Sequence, residues 1–458
     1  MKESCGVTGV FNVRNALKVL YLSLFSLQHR GQESCGIVVS DLKNIFIQKG
    51  MGLVEEVFSE LNFENSKGVF GIGHVRYSTT GCSSERNIQP FTVRYKGKTY
   101  AIAHNGNLTN SYRLRKQLED EGTLFQSTLD TEVIMHLFFK SKRENFVEKL
   151  IDALKKLQGS YALVIFTPEG IYAIKDPNGF RPLCLGKLDD GYIVSSESCT
   201  FDLVGATYIR EMESGEILFI SEQGLRSYFL PRKKVSRCIF EFIYFARPDS
   251  KVFGRSVYVT RKKLGETLGK ELPFKGDIVI PVPDSGNIAA LGVARKLKIP
   301  LEMGFIRNHY VGRTFIKPLP ASRELGVKIK LNVIPEVIKN KNVLVVEDSI
   351  VRGTTSTLRI QEIRKAGAKK VYMAVSCPPI KHPCFFGIDF PSTKELIASD
   401  KDIEQIRKII KLDGLYYLSL EGMLSSISLP PEEFCTSCFT GHYPVEIIDF
   451  KGKEQFER

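Results

Sequence analysis

NVLVVEDSIVRGTTSTL, residues 342–358, narrows the fold of this 458-residue chain more than any other stretch. Val343, Leu344, Val345 and Val346 make a near-continuous apolar strand that ends in two adjacent carboxylates, Glu347 and Asp348. Ser349, Arg352, Gly353, Thr354 and Thr355 follow, and then a helical run reaching Lys370. A strand, a loop rich in hydroxyls and glycine, and a helix N-terminus form an anion cradle, because backbone N–H groups and the helix dipole face the ligand there. The G-x-x-x-x-G-K-S/T spacing of a Walker loop is absent. A capped helix after a core strand explains the hydroxyls but not two carboxylates at the end of a buried strand. Those are placed to touch hydroxyls or a hard cation. A second strand–loop–helix unit, GDIVIPVPDSGNIAALGVA at 276–294, turns at Asp284-Ser285-Gly286.

Charge and cysteines set the second half apart. Residues 1–230 carry 26 Lys+Arg and 26 Asp+Glu, whereas residues 231–458 carry 38 and 25, which is the entire net +13. Such a step suggests that the second half meets anions, nucleic acid or a phosphorylated metabolite, although a solvated basic surface gives the same count. Ten cysteines in so long a chain do not read as a disulfide framework. Cys435 and Cys438 form a C-x-x-C, and Cys238 and Cys384 lie in the same half. On its own, the C-x-x-C pair suggests zinc, a redox motif or chance. The chain shows no apolar run of bilayer length and no basic-then-apolar start, so the expected location is the cytoplasm, without a membrane partner.

Before residue 231, short apolar segments broken by glycine turns read as strands of about five to six residues: VFGIGHVRYST, TYAIAHNGNL, SYALVIFT, GIYAIKD and GYIVSSES. Residues 111–120 and 130–157 have helical spacing, so this half is expected to layer sheets with helices. Three clusters stand out: GHVRYSTTG at 73–81, AHNGN at 103–107 and LDTE at 129–132. Singly, each suits a structural role. Arg76 fits a surface ion pair, Asn105-Gly106 a type I′ turn, and Asp130 an N-cap. Cys5, four residues from the start, suits either buried packing or a nucleophile.

Taken in order, CGVTGV at 5–10, QHRGQES at 28–34 and these three clusters resemble the glutaminase domain of N-terminal-nucleophile amidotransferases. VLVVEDSIVRGTT is similar to the 5-phosphoribosyl 1-pyrophosphate (PRPP) loop of type I phosphoribosyltransferases. With KDPNGFRPL at 175–183 and YFARPDS at 244–250, nearly the whole chain resembles the amidophosphoribosyltransferases of the iron–sulfur, propeptide-bearing type.

The resemblance implies two domains, α/β and α+β. A four-residue propeptide, 1–4, precedes a layered αββα glutaminase domain, 5–230. A type I phosphoribosyltransferase domain with a cluster-binding tail follows, 231–458. It implies that Cys5, once Met1-Lys2-Glu3-Ser4 is removed, is the nucleophile and its α-amine the base. Asn105 and Gly106 would form the oxyanion hole, Arg76 would bind the glutamine carboxylate and Asp130 its α-ammonium. PRPP would meet Asp284, Ser285, Gly286, Glu347, Asp348, Ser349, Arg352, Gly353, Thr354 and Thr355. Arg307, Tyr310, Arg313 and Lys317 belong to IRNHYVGRTFIKP at 306–318, which looks like the loop that closes over PRPP; His309 stands where an arginine is expected. Magnesium would be held by Ser285, Glu347 and Asp348, directly or through water, and a 4Fe–4S cluster by Cys238, Cys384, Cys435 and Cys438. The implied activity makes 5-phosphoribosylamine, the first committed intermediate of purine synthesis. Feedback by purine nucleotides, a homotetramer and no nucleic-acid partner complete the expectation. A hexosamine-phosphate synthase or asparagine synthetase would not need the PRPP loop.

Overall fold

A computed structural model describes residues 5–63, 68–77, 82–308, 331–389, 392–447 and 456. Tyr310, Arg313, Lys317, His309 and the propeptide residues 1–4 lie outside the described residues.

Two antiparallel sheets fill the first half. One runs, in spatial order, Thr207–Glu211, Cys184–Leu188, Gly191–Ser195, Gly6–Phe11, Phe70–Arg76, Ser34–Ser40 and Ile45–Met51. The other runs Gly224–Phe229, Glu216–Ser221, Gly170–Lys175, Gly159–Thr167, Lys98–Leu108 and Phe91–Tyr95. Their inner faces bury Val7, Phe11, Phe70 and Ile72 from the first against Ala103, Val164, Phe166 and Ala173 from the second. Burial of this kind is the main stabilising term, at about 25 cal/mol per Å² of apolar surface. The helix Ala16–Ser26 covers the outer face of the first sheet through Leu17, Leu20 and Leu24. The helices Ser111–Asp120, Asp130–Lys140 and Phe146–Leu154 cover the second through Leu114, Val133, Ile134 and Leu150. The result is the αββα layering.

The second half centres on four parallel strands in the order Ile278–Pro281, Asn342–Glu347, Lys370–Val375 and Gly414–Tyr417. Parallel strands carry helices on their faces and so read as continuous apolar runs. VLVV at 343–346 is fully buried for that reason.

Four local expectations change. Asn105-Gly106 is not a hairpin turn: it lies inside the eleven-residue strand Lys98–Leu108, paired with Ala162 and Tyr161. That strand and the nine-residue Gly159–Thr167 exceed the expected five to six residues, and they stay buried from Ala101 to Leu108 and along all of Gly159–Thr167. Asp130 is the first residue of its helix and Leu129 occupies the cap position, so the carboxylate is not an N-cap. The helix after the cradle ends at Lys365, and Gly367, at φ +87°, lets the chain turn into the strand that begins at Lys370.

Candidate active site

Register brings the first set of candidate residues together. Gly6 pairs with Val75, so Cys5 continues toward Arg76 at the end of the neighbouring strand. The Cys5 Sγ lies 3.3 Å from the Tyr77 carbonyl as donor and accepts from the Tyr77 N–H at 3.5 Å. Across the sandwich, His74 Nε2 donates to the His104 carbonyl at 3.0 Å. Arg76 and Gly106 each lie two residues past that contact, and residues 387–389 touch both Gly106 and Tyr77, next to Arg76, which sets the two on the same rim. Burial holds the His74 ring neutral, with its pKa lowered to about 3.

Each side chain has a defined environment. Arg76 is buried and its guanidinium lies 3.4 Å from Glu33. Asp130 accepts from the Leu108 N–H at 2.9 Å and faces His104 Nδ1 at 3.5 Å. Burial alone would raise its carboxyl, but His104 and the backbone donors outweigh it and the net shift is downward, so it is charged at neutral pH. Gly106 has φ +150°, and a Cβ there would fall 2.1 Å from the Ser160 carbonyl oxygen, so no other residue fits. Burial pushes the Cys5 thiol up, with the Tyr77 backbone and Arg76 opposing it. It is therefore a protonated thiol that needs a base.

The second set gathers at the carboxyl ends of two adjacent parallel strands, where open α/β sheets bind ligands. Ser285 Oγ donates to Asp348 Oδ2 at 2.5 Å, joining the two loops. Ser349 also donates to Asp348, and Glu347 pairs with Arg359 and accepts from Ser356 at 3.3 Å. Burial raises the Glu347 carboxyl despite Arg359. Gly286 precedes the helix Asn287–Leu297; Gly353, at φ +76°, caps Thr354–Lys365, whose first residues Thr354 and Thr355 are exposed. Arg352 sits in the loop with its guanidinium 2.5 Å from Glu395, and Asp284 pairs with Arg307.

The four cysteines converge from distant points in the chain. Arg237–Cys238 pairs in parallel with Phe434–Cys435, setting Cys238 opposite Cys435. The backbone N–H groups of Lys381 and His382 donate to the Cys438 carbonyl, drawing Cys384 to the same place. Burial first, then Cys435, Cys384 and Cys238, drive the Cys438 thiol well above its ordinary range. Burial likewise lifts Cys435 to about 11. Clustered, desolvated thiols of this kind suit a thiophilic metal group, which would take them as thiolates. Among the described residues no group of three or more His, Cys, Asp or Glu side chains stands in the geometry of a bound metal ion. Also among them, no helix is long and apolar enough to cross a membrane.

Several residues beside these sites carried no individual role in the sequence. Arg30 and Glu197, Glu241, Arg181, Tyr77, Gly387 and Asp389 all pack around the rim. The signals were that Arg30 falls within QHRGQES, Tyr77 within GHVRYSTTG, Arg181 within KDPNGFRPL and Glu197 within GYIVSSES.

Comparison with known proteins agrees with this geometry. Residues 74–202 match the glutamine amidotransferase domain family model. The chain is 47% identical to amidophosphoribosyltransferase 1, chloroplastic, of Arabidopsis thaliana over 99% of its own length and 80% of that protein. It is 45% identical to the amidophosphoribosyltransferase of Bacillus subtilis, over 98% and 95%. A solved B. subtilis glutamine PRPP amidotransferase, complexed with ADP and GMP, superposes with a TM-score of 0.91 at 44% identity, covering 97% of this chain and 98% of that one.

Proposed function

The chain belongs to the amidophosphoribosyltransferase family, and from that premise we propose how its residues divide the reaction. The enzyme is a glutamine-dependent amidophosphoribosyltransferase of purine biosynthesis. Removal of residues 1–4 frees the α-amine of Cys5, whose reference pKa of about 7.7–8.0 suits a base at neutral pH. The amine takes the thiol proton and Sγ attacks the side-chain amide carbon of glutamine. The oxyanion faces Asn105 and the Gly106 N–H. The C–N bond breaks, ammonia leaves carrying the proton, and water cleaves the thioester to glutamate. Arg76 holds the α-carboxylate and Asp130 the α-ammonium.

In the second half, the ammonia lone pair attacks C1 of PRPP, the C1–O bond breaks, and pyrophosphate leaves. The nitrogen gives up a proton to become 5-phosphoribosylamine. Glu347 and Asp348 accept from the ribose hydroxyls, and the Ser349–Thr355 loop cradles the 5-phosphate with its N–H groups. Asp284, Ser285 and Gly286 face the pyrophosphate, and Arg307, Tyr310, Arg313 and Lys317 close over it. Ser285, Glu347 and Asp348, directly or through water, would hold magnesium, which would supply charge neutralisation at the leaving group. Cys238, Cys384, Cys435 and Cys438 would hold a 4Fe–4S cluster, which would tie the C-terminal segment to the second domain.

The domain limits 5–230 and 231–458, a homotetramer and a cytoplasmic location belong to the same proposal. Purine-nucleotide feedback is supported by the relative that was solved with ADP and GMP. The observation that carries the residue-level reading is the meeting of Cys5, Arg76, Gly106 and Asp130 on one rim of the sandwich. Anaerobically purified enzyme given glutamine, Mg²⁺ and PRPP tests it. Equal release of glutamate and pyrophosphate, with glutamate release rising on PRPP addition and lost in Cys5→Ala, is expected. Pyrophosphate formed from glutamine by Cys5→Ala would overturn it.

A further inference from the structure

A nucleophile that is also the first residue of a chain has a mechanical problem. Chain ends fray unless something ties them down, and cleavage before Cys5 removes its upstream tether. Its carbonyl, the downstream strand and the Sγ contacts to the Tyr77 backbone must then fix the directions in which the amine and Sγ point. The Cys5 carbonyl accepts from Arg30 Nε at 2.9 Å. Arg30 is 1% exposed, in the turn after the helix Ala16–Ser26.

The guanidinium is itself held on both remaining nitrogens. Nη1 donates to Glu197 at 2.5 Å and to Glu241 Oε2 at 2.9 Å, and Nη2 donates to Glu241 Oε1 at 2.8 Å. Both carboxylates are fully buried. Glu197 is fixed in turn by His29 Nε2 at 2.8 Å, Ser250 Oγ at 2.7 Å and the Arg247 N–H at 2.9 Å. Arg181 Nη1 donates to Glu241 at 3.1 Å, and its Nη2 donates to the Phe386 carbonyl at 2.9 Å. Buried ion networks are weak evidence for stability, since apolar residues of like volume often do as well. A planar fork that meets one carbonyl and two carboxylates at once instead fixes an orientation.

We propose that Arg30 is a positioning residue of the glutamine half-reaction, clamping the Cys5 carbonyl, and that Glu241, from the far side of the domain junction, sets the clamp's angle. The inference rests on the reading of Cys5 as nucleophile. It assigns Arg30 no contact with substrate. It also makes the glutaminase site complete only when the segment following Cys238 is in place.

The test uses full-length enzyme carrying Arg30→Lys, Glu241→Gln or Glu197→Gln, with Cys5→Ala in parallel. Turnover is measured with glutamine and, separately, with ammonia, which bypasses Cys5. Lysine keeps the charge but cannot reach three partners, so Arg30→Lys should lower the glutamine kcat about 10–100-fold, as expected for a misplaced nucleophile. Glutamine KM and ammonia-dependent turnover should stay within about two-fold, because neither depends on the aim of Sγ. Glu241→Gln should lower the same kcat by a smaller factor, and modification of Cys5 by a diazo-ketone analogue of glutamine should slow in step. Unchanged glutamine kcat in Arg30→Lys overturns the clamp. Loss of ammonia-dependent turnover in all three variants overturns it in favour of a purely structural network. If Cys5→Ala keeps glutamine turnover, the nucleophile reading itself falls, which the ammonia assay distinguishes from failure of the clamp alone.

Discussion

Gly387 rests against the backbone of Gly106: a Cβ at 387 would lie 2.9 Å from the Gly106 carbonyl carbon and 3.1 Å from its Cα. Gly387 belongs to the segment that follows Cys384, so the second half of the chain directly touches the glycine proposed for the oxyanion hole. The same segment accepts from Asn107 Nδ2 at the Phe385 carbonyl, 3.0 Å, and from the Tyr77 hydroxyl at Asp389, 3.3 Å. Residues 385–389 thus lean on both sides of the Cys5 site.

Replacing Gly387 tests that contact. Its φ of +94° already disfavours an L side chain, and the added methyl would press on Gly106. Gly387→Ala should lower glutamine-dependent turnover about tenfold or more by displacing an oxyanion donor. Ammonia-dependent turnover should change far less. Steady-state kinetics with the two nitrogen sources decides, and equal losses in both would mean a general packing defect.

Asp130 offers a sharper separation of binding from chemistry. Its carboxylate stays charged despite burial, which suits an ammonium partner. Asp130→Asn keeps an oxygen for the Leu108 N–H but loses the charge. A charge-assisted hydrogen bond contributes about 1.5–3 kcal/mol, so the glutamine KM should rise about 10–150-fold. Turnover with ammonia should be preserved. A glutamine KM within about two-fold of wild type would remove Asp130 from the substrate site.

The carboxylate pair of the cradle should fail differently. Asp348 accepts from Ser285 and Ser349, and it joins the two loops proposed to frame the PRPP site. Asp348→Asn should cut pyrophosphate release about 100-fold or more with either nitrogen source, the equivalent of one or two charged hydrogen bonds. Labelling of Cys5 by the diazo-ketone analogue, measured without PRPP, should proceed at the wild-type rate. Loss of that labelling as well would show that the substitution damages both halves.

The fold was largely legible because its signals are local. A continuous apolar run before a hydroxyl-rich loop marks Asn342–Glu347 as a buried parallel strand, and alternating apolar segments mark the two antiparallel sheets. Asn105-Gly106 misled as a turn because the dipeptide's local preference is overridden by pairing with Ala162 and Tyr161 on a strand more than fifty residues away. The candidate residues were legible as types, but their partners were not. Nothing in the sequence near Arg30 announces Glu197 or Glu241, which are 167 and 211 residues distant. Nor does Gly387 announce Gly106. A close backbone approach leaves only a glycine behind, and turns and helix ends call for the same residue.

The pH dependence of Cys5 reactivity separates the mature enzyme from its precursor. Burial raises the Cys5 thiol above its ordinary 9.0, so at any given pH less thiolate is present than for an exposed cysteine. With Ser4 still attached, Cys5 has an amide in place of an amine and no base of its own. Alkylation by the diazo-ketone analogue should then be slow at pH 8 and climb only above pH 9. After removal of residues 1–4, the α-amine takes the thiol proton, and the rate should rise through an apparent pKa of about 7.7–8.0 and level off above it. The two profiles can be recorded on the processed chain and on a Ser4-retaining variant, with intact mass confirming each N-terminus. Identical profiles would mean that the amine takes no part, and that the proton on Cys5 leaves by another route.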